Sequence, residues 1–254
     1  MIYYFSGTGN SKYVAESLGR LLSDEVKFIP STDAESERYN GKGLGFIFPV
    51  YSWGIPPLVE KFMKELPDIL FTDLSIDQGN VWCVMVCGDE TGLTPEMVKK
   101  IMGMRGVKIQ LLRSIIMPNN YVLLPGFDTD SKEVEKKKID ASVDTLLQIA
   151  DEIASGRMVE DVNVGGLAWV KSRLIYPLFK KWGIFPGKWH AKDNCIGCGR
   201  CEKACPLHNI KMNTHKPEWG SRCCSCLGCY HICPVHAVEY GKATAKKGQY
   251  FFRP

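Results

Sequence analysis

The sequence CIGCGRCEKACP at residues 195–206 and the sequence CCSCLGCYHICP at residues 223–234 decide the fold of the C-terminal part of the chain. In each run, three cysteines recur at every third residue, and a fourth follows four residues later, directly before a proline. Bacterial [4Fe–4S] sites use this spacing, and in two-cluster proteins the fourth cysteine of each run ligates the other cluster. Zinc ribbons also use cysteine pairs, but two complete runs favour iron–sulfur clusters.

If the fourth cysteine of each run ligates the cluster of the other run, the motif predicts two sets of ligands. Cluster one is predicted to bind Cys195, Cys198, Cys201 and Cys233. Cluster two is predicted to bind Cys205, Cys223, Cys226 and Cys229. Cys224 falls outside the spacing and is more typical of a buried thiol. The repeated pattern predicts a small duplicated unit with pseudo-two-fold symmetry.

Residues 157–187, upstream of the cysteines, are basic and aromatic. One interpretation is a helix on a membrane surface. The other is a connector that packs one domain on the other. Pro177 and Gly183 interrupt the helical pattern and favour the connector.

The N-terminal part alternates apolar runs with amphipathic helical segments, which predicts a doubly wound parallel sheet. The expected order of its five strands is 2-1-3-4-5. The predicted strands are Ile2–Phe5, Val26–Ile29, Leu44–Val50, Val81–Val86 and Val107–Met117. In such sheets ligands bind beyond the C-terminal ends of the strands, so the loops there carry the candidate site.

Three of these loops contain the candidate cofactor-binding residues. The first comprises Ser6, Gly7, Thr8, Gly9, Asn10 and Ser11. The second comprises Pro49, Val50, Tyr51, Ser52, Trp53 and Gly54. The third comprises Cys87, Gly88 and Asp89.

The first loop suits one phosphate, since its hydroxyls and the following helix N-terminus could donate hydrogen bonds. It lacks the lysine of a Walker A loop, and Lys12 stands where a dinucleotide fingerprint has its third glycine. Tyr51 or Trp53 could stack on a flavin ring, and the backbone after Cys87 could bind its pyrimidine edge. The plainer alternatives are an ordinary strand–helix turn, aromatic side chains that cover the sheet end, and a packing role for Cys87.

Composition and charge limit the cellular compartment and the kinds of partner that we expect for the protein. The N-terminus has no signal-peptide pattern and no apolar run is long enough to span a membrane, so we expect a cytoplasmic protein. Residues 1–155 carry 16 Lys and Arg against 22 Asp and Glu, and residues 156–254 carry 16 against 6. The basic half could bind nucleic acid. We favour instead that its lysines offset the negative charge of the clusters and dock the acidic half, with no nucleic-acid partner.

On these motifs the chain resembles the fused flavodoxin-like and bacterial-type ferredoxin proteins of anaerobes, a family called ferrodoxins. Ser6–Ser11 resembles the flavodoxin phosphate loop, Tyr51–Gly54 and Gly88–Asp89 fall where flavodoxins have their isoalloxazine loops, and the eight cysteines match the ferredoxin half. The segment Met117–Tyr121 is also similar to these fusions.

The resemblance implies a flavodoxin-like FMN domain at residues 1–156, a connector at 157–187 and a small α+β ferredoxin domain at 188–254. It also implies two [4Fe–4S] clusters, one FMN, and electron transfer between them. The chain would serve as a carrier for a redox partner protein, or as an FMN-dependent reductase of a small organic acceptor. A nucleic-acid-binding redox sensor is a further alternative.

Overall fold

A computed structural model describes residues 1–76, 80–183 and 186–252 of the chain. Its main sheet has six parallel strands in the spatial order β2-β1-β3-β4-β5-β6. The strands are β1 (Ile2–Tyr4), β2 (Val26–Phe28), β3 (Leu44–Pro49), β4 (Val81–Cys87), β5 (Leu111–Ile116) and β6 (Val159–Asp161). The order of the first five strands is the predicted one.

The sixth strand corrects the prediction of five. β6 lies within the predicted connector and pairs with β5, Leu111 opposite Val159. It is only three residues long and ends in Glu160 and Asp161, both exposed. Such a short polar edge strand has no apolar run that a sequence pattern could detect. β5 also begins later than predicted, at Leu111 rather than Val107.

Helices cover both faces of the sheet. On one face α1 (Asn10–Leu22) and α5 (Lys132–Ala154) pack on side chains such as Ile47 and Val84. The opposite face is covered by α2 (Pro57–Glu65), α3 (Asp68–Ile76) and α4 (Thr94–Gly103). Every residue of β4 is buried, as expected for a central parallel strand. Ser131 caps α5, because its hydroxyl accepts a hydrogen bond from the Val134 N–H.

A helical segment at residues 168–183 follows β6. It consists of α6 (Ala168–Val170), a wide π-type turn at Lys171–Ile175, α7 (Tyr176–Leu178) and a second wide turn at Phe179–Gly183. Pro177 does not end it, since the wide turns on either side accommodate the missing N–H donor. We call it the connector helix. No helix in the described part of the chain is long and apolar enough to cross a membrane.

The C-terminal unit has its own small core. β7 (Trp189–Ala191) pairs antiparallel with β10 (Val238–Tyr240), and β8 (Ile210–Asn213) pairs with β9 (Lys216–Trp219). Two short helices, α8 (Arg200–Lys203) and α9 (Gly228–His231), each lead from a third cysteine to a fourth. After this unit the chain returns to the sheet, where Tyr250 and Phe252 join the core beside α1.

Candidate functional site

Two cavities in the C-terminal unit gather the eight cysteines of the repeated motif. Cavity one is lined by Cys195, Cys198, Cys201 and Cys233, together with apolar side chains such as Val235. Cavity two is lined by Cys205, Cys223, Cys226 and Cys229, and also by Cys224, Trp189 and Trp219. The fourth cysteine of each run therefore lies in the cavity of the other run.

The two halves of this unit share a backbone conformation as well as a spacing. Residues at matching positions of the two runs adopt the left-handed region, with φ between 49° and 68°. Glycine occupies this region readily, whereas other residues adopt it at a cost. The matching pairs are Gly197 and Ser225, Gly199 and Leu227, and His208 and His236.

Backbone donors point at the cysteine sulfurs. The N–H groups of Asn209 and Ala237 bond the sulfurs of Cys205 and Cys233 at 3.3 and 3.2 Å, and these are again matching positions of the two runs. The Ser225 N–H bonds Cys223 at 3.3 Å. Such bonds stabilise a thiolate and tune the potential of a cluster that it ligates.

Burial has the opposite effect on the thiols. It raises the pKa of Cys201 and of Cys223 to about 11. Without a bound cation these groups are therefore protonated at neutral pH, and a metal must displace their protons. Electron-deficient iron supplies that stabilisation, so the residues of both cavities fit a thiolate-ligated cluster.

The arrangement differs from a site for one metal ion. In residues 1–76, 80–183 and 186–252, no three Cys, His, Asp or Glu side chains are grouped as ligands of a single ion. Zinc needs four ligands within about 2.3 Å of one point. Each set of four thiols instead lines a cavity of its own.

The two cavities differ in their access to solvent. Cys198 is exposed beside cavity one, and the neighbouring Ile196 side chain is 62% exposed. Cavity two faces the sheet domain, where Cys224 and Cys226 pack against the core that includes Tyr51. Cavity one therefore lies on the outer side of the molecule.

The predicted phosphate loop is covered by the C-terminal unit. Thr8, Asn10 and Ser11 are no more than 6% exposed. The Thr8 carbonyl accepts a hydrogen bond from the Phe252 N–H at 2.8 Å. A Cβ atom added at Gly7 would overlap the Cys226 carbonyl and come within 2.8 Å of its Cβ. The loop is open on its other side, where Ser6, Gly7 and Gly9 line a cavity of about 480 Å³ together with Lys12, Tyr13 and Arg20.

The connector helix covers the predicted aromatic loop. The Tyr176 ring lies directly on Gly54, and its hydroxyl bonds the Ile55 carbonyl. Trp53 donates its indole N–H to Glu90 at 2.7 Å, and Lys171 lies over the Trp53 ring while pairing with Glu90. Lys171 therefore covers one face of the Trp53 ring, and Tyr176 covers Gly54.

The third predicted loop is also filled. The Asn119 side chain lies against Gly88 where a Cβ would be, and Asp130 holds Asn119 through its backbone and side-chain N–H groups. Cys87 is 7% exposed, and burial raises its pKa to about 12, which suits a packing role. Asp89 points to solvent at 75% exposure. With the second and third loops covered by the chain's own side chains, the flavin ring of the expected FMN would fit only if these side chains moved, whereas the first loop borders an open cavity.

Sequence reasoning missed the residues that tie the two halves together. Asn120 donates to the Thr8 hydroxyl at 2.5 Å and accepts through its carbonyl from His231 at 2.7 Å. The other ring nitrogen of His231 accepts from the Tyr250 N–H, and Tyr250 donates its hydroxyl to Asn10 at 2.6 Å. Burial lowers the pKa of His231 to about 4, so the ring is neutral and its two nitrogens serve one donor and one acceptor role. The sequence offered one signal for these contacts, namely the two consecutive asparagines after β5, Asn119 and Asn120.

Comparison with known proteins supports the iron–sulfur assignment. Residues 186–207 match the family model of a 4Fe-4S binding domain. That range contains the first cysteine run, so the chain carries a 4Fe-4S binding sequence. A search of curated proteins finds no match.

Solved structures resemble part of the chain distantly. The Trp repressor binding protein from Bacillus subtilis has 16% identity and a TM-score of 0.37, over 58% of this chain and 96% of that one. A candidate flavoprotein from Bacteroides uniformis has 14% identity and a TM-score of 0.34, over 55% of this chain and 96% of that one.

Proposed function

We propose that the protein is a one-electron carrier that holds two [4Fe–4S] clusters. The observation that carries the proposal is the pair of cavities, each lined by four cysteines, with the fourth cysteines exchanged between the runs. Cluster one would be held by Cys195, Cys198, Cys201 and Cys233. Cluster two would be held by Cys205, Cys223, Cys226 and Cys229.

A bound [4Fe–4S] cluster accepts and releases single electrons at a potential set by its surroundings. The chain supplies those surroundings. Apolar side chains such as Trp189 and Ile210 keep water away from cavity two, and backbone N–H groups bond the sulfurs. The exposed surface around Ile196 and Cys198 is the closest approach to cavity one, so a redox partner would dock there.

Iron and acid-labile sulfide analysis of protein purified without oxygen tests the ligand assignment. The proposal expects about eight iron atoms per chain, since each cluster contributes four. Cys198→Ser should reduce the iron content to about half. Cys224→Ser is the matched control, because Cys224 lines cavity two outside the motif and should leave the iron content unchanged. Equal iron loss in both variants would contradict the assignment.

FMN-dependent reduction of a small organic acceptor is the second candidate. One observation favours a ligand at the first loop: the Ser11 hydroxyl is buried and has no hydrogen-bond partner among the described residues. FMN would need Phe252 and the connector helix to move away from the loops. Flavin analysis of the same preparation separates the candidates, because the carrier proposal expects no stoichiometric flavin.

A further inference from the structure

The connector helix has two faces of different character. Ser172 and Tyr176 are 2% and 3% exposed and form its inner face. The Ser172 hydroxyl donates to the Trp53 carbonyl and accepts from the Leu93 N–H, both at 2.8 Å. This face explains how the helix is held on the sheet domain, and it leaves the rest of the helix outside the fold.

The outer face is apolar to an unusual extent for an exposed helix. Seven large apolar side chains between residues 167 and 182 are at least 38% exposed. The exposed fractions are Leu167 76%, Trp169 62%, Val170 38%, Leu174 52%, Ile175 40%, Leu178 51% and Trp182 63%. Exposed apolar side chains concentrated on one short helix mark an interaction surface, whereas scattered exposed apolar residues need no explanation.

The charged residues of this segment itself all have one sign. The sequence contains no Asp or Glu between Asp161 and Asp193, but six Lys and Arg. Arg173 and Lys181 are exposed on the helix itself, and Lys181 lies 4.7 Å from the centre of the Trp182 ring. Lys180 reaches back to Glu60 on α2 at 3.3 Å. The surface therefore offers apolar groups and cations together.

We propose that the connector helix docks the protein on the surface of an anionic phospholipid bilayer. A helix with tryptophan and leucine on one face and lysine or arginine beside them suits the boundary between head groups and acyl chains. Tryptophan is favoured at that depth, and it occurs here near both ends of the helix. A lipid surface matches both properties, because it combines an apolar layer with uniformly negative head groups. The helix lies on the bilayer and does not cross it.

Flotation of the full-length holoprotein with lipid vesicles tests this proposal. We expect binding to vesicles of equal parts phosphatidylglycerol and phosphatidylcholine, and at least tenfold weaker binding to phosphatidylcholine alone, at about 0.15 M salt. Tryptophan fluorescence should shift to shorter wavelength on binding. Equal binding to both vesicles, or no binding to either, would overturn the proposal.

Two pairs of variants locate the surface. Leu178→Ser with Trp182→Ser should abolish flotation, whereas Leu124→Ser with Leu147→Ser, which changes two side chains 52% and 53% exposed elsewhere, should not. Arg173→Glu with Lys181→Glu should reduce binding to the phosphatidylglycerol vesicles to the level of phosphatidylcholine, unlike Lys132→Glu with Lys136→Glu on α5.

Iron content and circular dichroism of each variant check that the fold is retained. Light scattering, which measures the mass of the protein in solution, tests the alternative that a second copy of the chain occupies this face. A dimer that the Leu178 and Trp182 changes convert to a monomer, without vesicle binding by the unchanged protein, would overturn the proposal.

Discussion

Trp219 is the side chain whose chemistry bears most directly on cavity two. Its indole N–H is buried and has no geometric hydrogen-bond partner among the described residues. Burial raises the pKa of the Cys229 thiol, and the indole N–H of Trp219, which lies beside the sulfur, offsets part of that rise. The indole is therefore placed to donate to a thiolate or to a cluster bound there.

Trp219→Phe should lower the reduction potential of the cluster in cavity two. The variant keeps an aromatic ring but loses a donor, and a hydrogen bond worth about 1 kcal/mol corresponds to roughly 40 mV for one electron. A redox titration followed by EPR measures the shift. Trp182→Phe, at an exposed position, is the control and should leave the potential unchanged. A potential unaffected by Trp219→Phe would exclude this donor role.

His231 joins three segments through two hydrogen bonds. His231→Leu removes the donor to the Asn120 carbonyl and the acceptor of the Tyr250 N–H, both of which are then left without these partners in a buried region. We expect the free energy of unfolding to fall by about 2–4 kcal/mol, with partial rescue in His231→Gln. Urea unfolding followed by tryptophan fluorescence measures it. Identical stability of the Leu variant and the unchanged protein would contradict the role assigned to His231.

At the scale of elements, the loop between β1 and α1 shows how closely the two halves approach. A Cβ at Gly228 would come within 2.7 Å of the Gly7 carbonyl, and one at Gly7 would overlap Cys226. Glycine at residue 7 is therefore explained by the contact with the C-terminal unit, whereas the sequence suggested a phosphate. The pattern Gly7-Thr8-Gly9 suits both a phosphate-binding loop and a close contact between two backbones, so the pattern alone could not decide between these roles.

Gly7→Ala should lower the free energy of unfolding by about 1–3 kcal/mol, since overpacking forces backbone shifts. Gly103→Ala is the matched control. No atom lies within 4 Å of a Cβ at residue 103, and its φ is not positive, so the change should be neutral or slightly stabilising. Chemical denaturation of both variants measures the difference. Equal effects would show that the halves do not meet at Gly7 in solution.

Sequence patterns predicted elements well where burial dictates composition. The apolar runs of β3 and β4 and the helical spacing of α1 and α5 are of this kind. The cysteine spacing predicted which side chains would meet, because the fold of that unit depends on them. The strand β6 was missed. β6 is short and polar, and it forms only because β5 offers it an edge.

At the scale of the whole molecule, the docking of the two halves could not be predicted from local patterns. It depends on contacts between residues as far apart as Asn10 and Tyr250. The opposite net charges of the halves suggested docking by charge. Ion pairs do cross between the halves at the connector helix, Lys171 with Glu90 and Lys180 with Glu60. The C-terminal unit instead meets Gly7, Thr8 and Asn10 through close backbone approaches and hydrogen bonds, and its ion pair between Lys247 and Asp128 is long, at 4.0 Å.

The docked arrangement should therefore be insensitive to salt. Exposed ion pairs contribute little and are screened at high ionic strength, whereas buried hydrogen bonds and packing are not. Small-angle X-ray scattering should give a radius of gyration of about 18 Å, as for a compact chain of this length, at both low and high salt. A radius that increases with salt would show that charge holds the halves together.

Native mass spectrometry of the protein, purified and sprayed without oxygen, tests the central claim most directly. The mass of the intact complex counts the bound inorganic groups in a single spectrum. We expect one dominant species that carries two Fe4S4 units and no FMN. A dominant species with zinc, with one Fe4S4 unit, or with FMN bound in equal amount to the chain would contradict it.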